Sequence, residues 1–385
     1  MLLYPVYALL FAAHGLSPAE VSSLFVLWSV TTFVLEIPSG VWSDLFSRRL
    51  LLALAPLLGG AGFALWTFLP SYPAFACGFV LWGAGSALRS GTVEALAYEQ
   101  LAVRGESAAY ARLAGRAQAL GITATLLADV LAALVLPGGG YLAVGAASVG
   151  VCALTACVAL AFPHTTSGAS PTESASGAEE RGGGVAVLLA GMRQVARGSG
   201  VARGVVVVSV VTGATALDEY VPFLAQSAGV GPGTVPLLVL MVTAGASVGG
   251  WLAGRGERWA PQVLGGGVLA LAAGALLTGW GHPEGTALVG AAFGAFFWTI
   301  AHTEARLQER IEDGARATVL SLAGFGSEVV AVSVYGAYAL GSGWAGPGPL
   351  FAAASCLFLP VVLALRRSGA SGGPRGGAPS HPPRR

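Results

Sequence analysis

Nine ionisable side chains stand inside, or at the edge of, stretches that are otherwise apolar: Glu36, Arg89, Glu94, Asp129, Asp218, Glu219, His302, Glu304 and Glu328. Facing lipid, a charge costs at least about 2.5–3.5 kcal/mol, so each must look toward a partner, a cavity or a moving ion. Glu328 lies near the middle of its segment. At that depth desolvation favours the neutral form of an unpaired carboxyl, the property a proton carrier needs. A permanent salt bridge, with Arg89 as the partner, is the alternative. Arg89 and Glu94 are about 140° apart around a helix axis, so each needs a partner on another segment, and Glu36 lies at a similar depth. These three form either a proton or substrate relay or a structural ion-pair cluster. Asp218 and Glu219 offer neighbouring carboxylates to a cation or cationic substrate, and Asp129 is read in the same way. His302 and Glu304, next to Arg306, read as a solvated helix end rather than a proton switch.

The mid-segment tryptophans Trp28, Trp82 and Trp298 either pack or stack on an aromatic or cationic substrate, Trp82 and Trp298 above all. Trp42, Trp66, Trp251, Trp259, Trp280 and Trp344 fit interfacial belts. Enzyme chemistry finds little support. Gly245-Ala-Ser247-Val-Gly249 matches a hydrolase nucleophile pattern, but that motif needs a strand–turn–helix context, and here it sits in an apolar helix. Gly245/Gly249 and Gly250/Gly254 read instead as small-residue packing ridges. Cys77, Cys152, Cys157 and Cys356 lack metal-ligand spacing and read as buried thiols without disulfides. A chain without lysine has no phosphate-binding Gly-x-x-x-x-Gly-Lys loop, so uphill work must draw on an ion gradient. No metal or cofactor is implied.

These residues need a frame of apolar helices. Hydrophobic residues make up 55% of the 385, charged residues 10%, and the mean hydropathy is +0.72, far from a soluble composition. Segments near the 20 or so residues that cross a bilayer are 20–41, 50–69, 73–97, 111–136, 141–162, 201–226, 234–254, 261–280, 285–305, 316–340 and 347–365. Residues 1–13 are apolar but too short to span. They lack the basic region and cleavage site of a signal peptide, so they read as the second half of a first helix, from a late start or a fragment. The count is then twelve, in an all-α membrane protein.

All twenty basic residues are arginines, and they cluster at every second connection, with Arg89 as the exception. That is the positive-inside pattern of a multi-pass protein. It places the inner connections, the linker and the C-terminus in the cytoplasm, and it leaves no basic face for nucleic acid. The Ser/Gly-rich stretch from residue 164 is a flexible linker, followed by an amphipathic surface helix over 185–197. The expected organisation is an N-terminal six-helix half (1–163, helix one incomplete), a cytoplasmic linker (164–200), a C-terminal six-helix half (201–366) and a disordered tail (367–385). Helices three, six, nine and twelve carry no ionisable residue within their spans, so they are the ones able to face lipid all round. A threefold rhythm paired into sixes is a layout of secondary transporters.

The connection Gly40-Val-Trp-Ser-Asp44-Leu-Phe-Ser-Arg48-Arg49-Leu-Leu-Leu52 resembles the loop signature of the major facilitator superfamily, and the resemblance covers nearly the whole chain. Gly40, Asp44, Arg48, Arg49 and Leu52 match; Leu45 replaces a usual basic residue and Ser47 a usual glycine. A weaker echo without the acid follows at Gly250–Arg258. The resemblance implies the twelve-helix fold of two pseudo-symmetric six-helix bundles, its first helix truncated here, with helices one, four, seven and ten lining a cavity. It makes Gly40, Asp44, Arg48 and Arg49 a gating loop that latches one access state. It also implies a small-molecule transporter coupled to protons, of the drug-efflux-like branch, working as a monomer in a bacterial plasma membrane. The missing Gly-Pro kink in helix five and the missing early arginine in helix four depart from drug antiporters. They keep proton-coupled uptake open as an alternative, beside a non-transporting truncated paralogue. On this reading Glu328, Glu94, Asp129 and Glu36 are coupling candidates. Arg89, Trp82, Asp218, Glu219 and Trp298 are substrate-cavity candidates.

Overall fold

The computed structural model describes residues 1–89, 92–103, 105, 109–162, 199–253, 256, 259–311 and 316–370. The linker, its expected amphipathic helix and the end of the tail lie outside the described residues. So do the side chains of Glu36, Gly40, Asp44 and Glu94, although their backbones are helical.

The described elements are helical, and they fall into twelve spans. The first is short, a 3-10 turn Tyr4–Val6 running into Tyr7–Ala13. The second, Pro18–Leu45, starts at a capping box: Ser17 and Glu20 exchange hydrogen bonds of 2.8 and 3.2 Å, satisfying amides that the helix start leaves unpaired. The third is Arg48–Phe68, and the fourth comprises Tyr72–Arg89 and Thr92–Val103. The fifth and sixth run as one helical stretch, Tyr110–Leu160, turned at Gly140. There φ is 60°, a left-handed conformation that glycine enters without a Cβ penalty. Pro137, three residues earlier, helps end the fifth span.

The second half repeats the plan. The seventh span comprises Ser199–Ala214, a 3-10 stretch Thr215–Tyr220 and Val221–Ser227. The eighth to eleventh are Val235–Trp251, Ala260–Gly279, Gly285–Gln308 and Arg316–Gly341. The twelfth is broken like the seventh: Pro347–Ala354, a 3-10 turn Ser355–Phe358, then Leu359–Ala370.

Small residues bring these apolar rods together. A Cβ on Gly290 of the tenth span would lie 2.7 Å from the carbonyl of Met241, and one on Gly294 would lie 2.8 Å from that of Gly245. The Gly245/Gly249 ridge therefore packs backbone to backbone on the tenth span, as small-residue ridges do in lipid. Ser247 bonds its hydroxyl to the carbonyl of Thr243 one turn back, like any helical serine. The second pair expected here is not such a ridge, because Gly250 faces open space and Gly254 lies outside the described residues.

Three further readings change. Trp66 is not at an interface: it is fully buried and donates to the Phe75 carbonyl at 3.0 Å, pinning the third span to the fourth. Cys77, Cys157 and Cys356 are exposed free thiols, and only Cys152 is buried. The third span, though free of internal charge, buries about half of its length against the fourth and sixth.

Candidate functional site

The site begins with a proline. Pro222 has no amide hydrogen, and its ring clashes with the carbonyl four residues back in a regular α-helix, which here belongs to Asp218. The seventh span answers with the 3-10 stretch Thr215–Tyr220, so both carboxylates sit where the helix is rewound. Asp218 is exposed and Glu219 half-buried, although buried tyrosines of both halves, Tyr7 and Tyr335, lie close to them. An exposed group in such a place lines an internal space. The sequence reading treated 201–226 as one regular helix, and Pro222 was the signal that could have located the break.

Aromatic rings from the first half face this acid pair. Tyr7 is buried and donates its hydroxyl to Glu219 Oε2. Tyr4 and Tyr7 set their rings edge-on to Trp82 at 6.0 and 6.1 Å, and Trp82 stacks on Trp28 at 5.5 Å. Tyr4, Trp28 and Trp82 each keep part of their surface open, unlike Trp66 and Phe79 behind them. Among the described residues, neither Asp218 nor Glu219 forms a salt bridge with an arginine or histidine. The first span was expected from sequence as part of a cavity-lining helix, but Tyr4 and Tyr7 were not singled out: nothing local in an apolar run marks which aromatic ring faces a site.

The two halves also meet along the second span. Ser22 Oγ and Tyr220 Oη are hydrogen-bonded at 2.7 Å, and Phe25 packs edge-on to Tyr220 at 5.4 Å. Tyr220 stacks on Tyr338 at 3.6 Å. Further along the second span, Ser29 donates to Glu328 Oε2, and Phe33 meets Phe325 at 5.3 Å. On the opposite flank Asp129 is 1% exposed beside Thr243 of the eighth span, with Oδ2 unpartnered among the described residues. These contacts run from the arginine-free end to the middle. Toward the arginine-bearing end residues 112–121 of the fifth span are exposed all round.

The remaining sequence-selected residues are scattered. Arg89 is exposed at the end of its helix and forms no bridge to Glu328, which instead accepts from the Ser29 hydroxyl. Trp298 is 7% exposed and packs its ring at a tilt against His302, centroids 3.9 Å apart, so it does not line open space. His302 is no solvated end. It is buried, with Nδ1 2.9 Å from the Trp298 carbonyl and Nε2 unpartnered among the described residues. Arg48 and Arg49 open the third span directly after Phe46 and Ser47. Ser47 has φ −58°, so this turn does not need the glycine that the loop signature usually carries.

This architecture and the sequence have known counterparts. The Major Facilitator Superfamily model matches residues 1–334. The chain belongs to the major facilitator superfamily. No curated protein matches it significantly. Among solved structures, a D-xylose–proton symporter superposes with a TM-score of 0.69 at 16% identity, covering 94% of this chain and 92% of that one. The nucleoside transporter NupG, as its D323A mutant, gives 0.67 at 12% identity over 96% and 94%. A bacterial homologue of the iron transporter ferroportin, in its inward-facing state, gives 0.63 at 14% over 96% and 93%. At these identities the likeness is one of fold. The protein is a multi-pass membrane transporter of the superfamily and not an enzyme.

Proposed function

We propose that this superfamily member exports a small organic cation by alternating access, driven by protons moving inward. The observation that carries the reading is the Asp218–Glu219 pair, set in a rewound stretch, open to an internal space and walled by Tyr4, Trp82 and Trp28. Two clustered carboxylates without a basic partner are neutralised either by protons or by a cation. One site that cannot hold both at once exchanges them, which is antiport. Aromatic faces add attraction for a desolvated cation, about 2 kcal/mol or more. The contacts at the arginine-free end, with residues 112–121 exposed toward the other, fit a state open to the cytoplasm. Arg89 and Trp298 contribute to the cavity walls in other states of the cycle.

In this scheme Gly40, Asp44, Arg48 and Arg49 form the gate between the second and third spans, and Glu36, Glu94 and Asp129 support coupling. The halves are 1–163 and 201–366, with linker and tail on the cytoplasmic side of a bacterial plasma membrane and the monomer as the working unit. A second reading, uptake by symport, is favoured by one contact. Glu328 binds Ser29 away from the acid pair, so a proton there does not compete with substrate.

Proteoliposomes with an imposed pH gradient, screened against organic cations and neutral sugars or nucleosides, test the proposal. Cation efflux from the cytoplasmic face that carries protons the other way, and that fails in Asp218→Asn, is expected. Co-directional flux establishes symport instead. A well-folded protein with no flux on any compound points to a non-transporting paralogue.

A further inference from the structure

We infer that the arginine-bearing end of the C-terminal half holds an anionic phospholipid, its headgroup on Arg203, Arg306 and Arg310 and one acyl chain in a groove between the seventh and twelfth spans. Nothing in this site overlaps the Asp218–Glu219 cavity, so it stands independently of the transport reading.

The groove follows from helix packing. Gly204 lets the seventh span press onto the tenth, where an added Cβ would lie 2.9 Å from Leu307 Cδ1. On the other flank the facing residues are small, Ala202 and Ala364, and Pro360 interrupts the twelfth span. The result is a channel of about 300 Å³ walled by Val206, Val210 and Val361. Val206 is 60% exposed, so the channel is open along one side.

The groove ends at a cationic mouth. Arg203 and Ala364 line both the channel and the adjoining pocket, which adds Arg306 and Arg310. On the tenth span Thr303, Arg306 and Leu307 recur at i, i+3 and i+4, one helix face, and Arg310, in the turn that follows the helix end, lines the same opening. Among the described residues, no acidic residue lines either space. Guanidinium groups match phosphate geometry. A basic pocket between membrane helices beside an apolar channel has the two chemistries of a phospholipid, anionic head and hydrocarbon tail. A free phosphate would use the first and leave the second empty.

The test uses the purified full chain in neutral detergent. Dioleoyl phosphatidylglycerol, dioleoyl phosphatidylcholine and inorganic phosphate are each titrated, with bound lipid counted by native mass spectrometry and thermal melting followed in parallel. Phosphatidylglycerol should bind at least tenfold more tightly than phosphatidylcholine and raise the melting temperature. The triple variant Arg203→Gln, Arg306→Gln, Arg310→Gln should lose that preference. Val206→Trp, which fills the channel and keeps all three arginines, should lose most phosphatidylglycerol binding and covers the case of an unstable triple variant. Equal binding of the two lipids overturns the inference. So does stabilisation by phosphate as large as by lipid, or a Val206→Trp protein that binds phosphatidylglycerol normally.

Discussion

Tyr7 of the first span donates its phenolic hydrogen to the carboxylate of Glu219 on the seventh, across the boundary between the two halves. The same bond ties a wall of the aromatic site to one of its acids, so binding at the acid pair and closure of this end are mechanically linked. A ligand that takes Glu219 from Tyr7 loosens the closed end. One that leaves the bond intact does not.

Tyr7→Phe should therefore shift the equilibrium toward opening at the arginine-free end. A hydrogen bond to a charged group contributes about 1.5–3 kcal/mol, so the open population should rise roughly tenfold or more. Spin labels at Ser17 and Ser227, placed on the two halves at that end, should show a longer-distance population in the variant. An unchanged distance distribution would separate the Tyr7–Glu219 contact from gating.

If Glu328 carries the coupling proton, as the symport reading requires, Glu328→Gln should abolish gradient-driven transport and leave downhill exchange intact, because the amide mimics the protonated acid. Its partner in this structure is the Ser29 hydroxyl and not Arg89, so no opposite charge is orphaned. The melting temperature should stay within a few degrees of the parent, in contrast to the loss of about 3–5 kcal/mol when one member of a buried ion pair is removed. Severe destabilisation, relieved by also removing Arg89, would restore the salt-bridge reading.

Gly249→Val forces a side chain into the carbonyl of Gly294 and should destabilise by about 1–3 kcal/mol or more, as overpacking does. Gly250→Val, one residue on, meets nothing within 4 Å and should melt close to the parent. Thermal melting in detergent distinguishes the two. Equal melting of both variants would contradict the packing assigned to the eighth and tenth spans.

Cysteines introduced at Ser71 and Thr172 should react with an impermeant reagent from opposite sides of the membrane. The connection between the third and fourth spans, which holds Ser71, lacks arginine and the linker carries several, so positive-inside topology places Thr172 in the cytoplasm. Labelling of both from one side would be inconsistent with the proposed orientation.

Class, helix number and fold were legible in the sequence because lipid enforces a simple rule: backbone polar groups must bond within each helix. Apolar runs of spanning length, broken at Pro137–Gly140 and at the arginine connections, thus report the architecture directly. The Gly245/Gly249 ridge was equally plain, since small residues four apart always share a helix face. Partners across the halves were not. Nothing local in Tyr7 or Ser29 points to Glu219 or Glu328, which are 212 and 299 residues away. Depth along a helix can be counted, but which way its face turns depends on how the neighbouring rods pack. That is why Trp66, expected at an interface, is buried and why His302, expected in water, is enclosed. It is also why Asp218, in an apolar stretch of sequence, opens on an internal space: Pro222 unwinds its helix, and only the packed bundle decides what that turn faces.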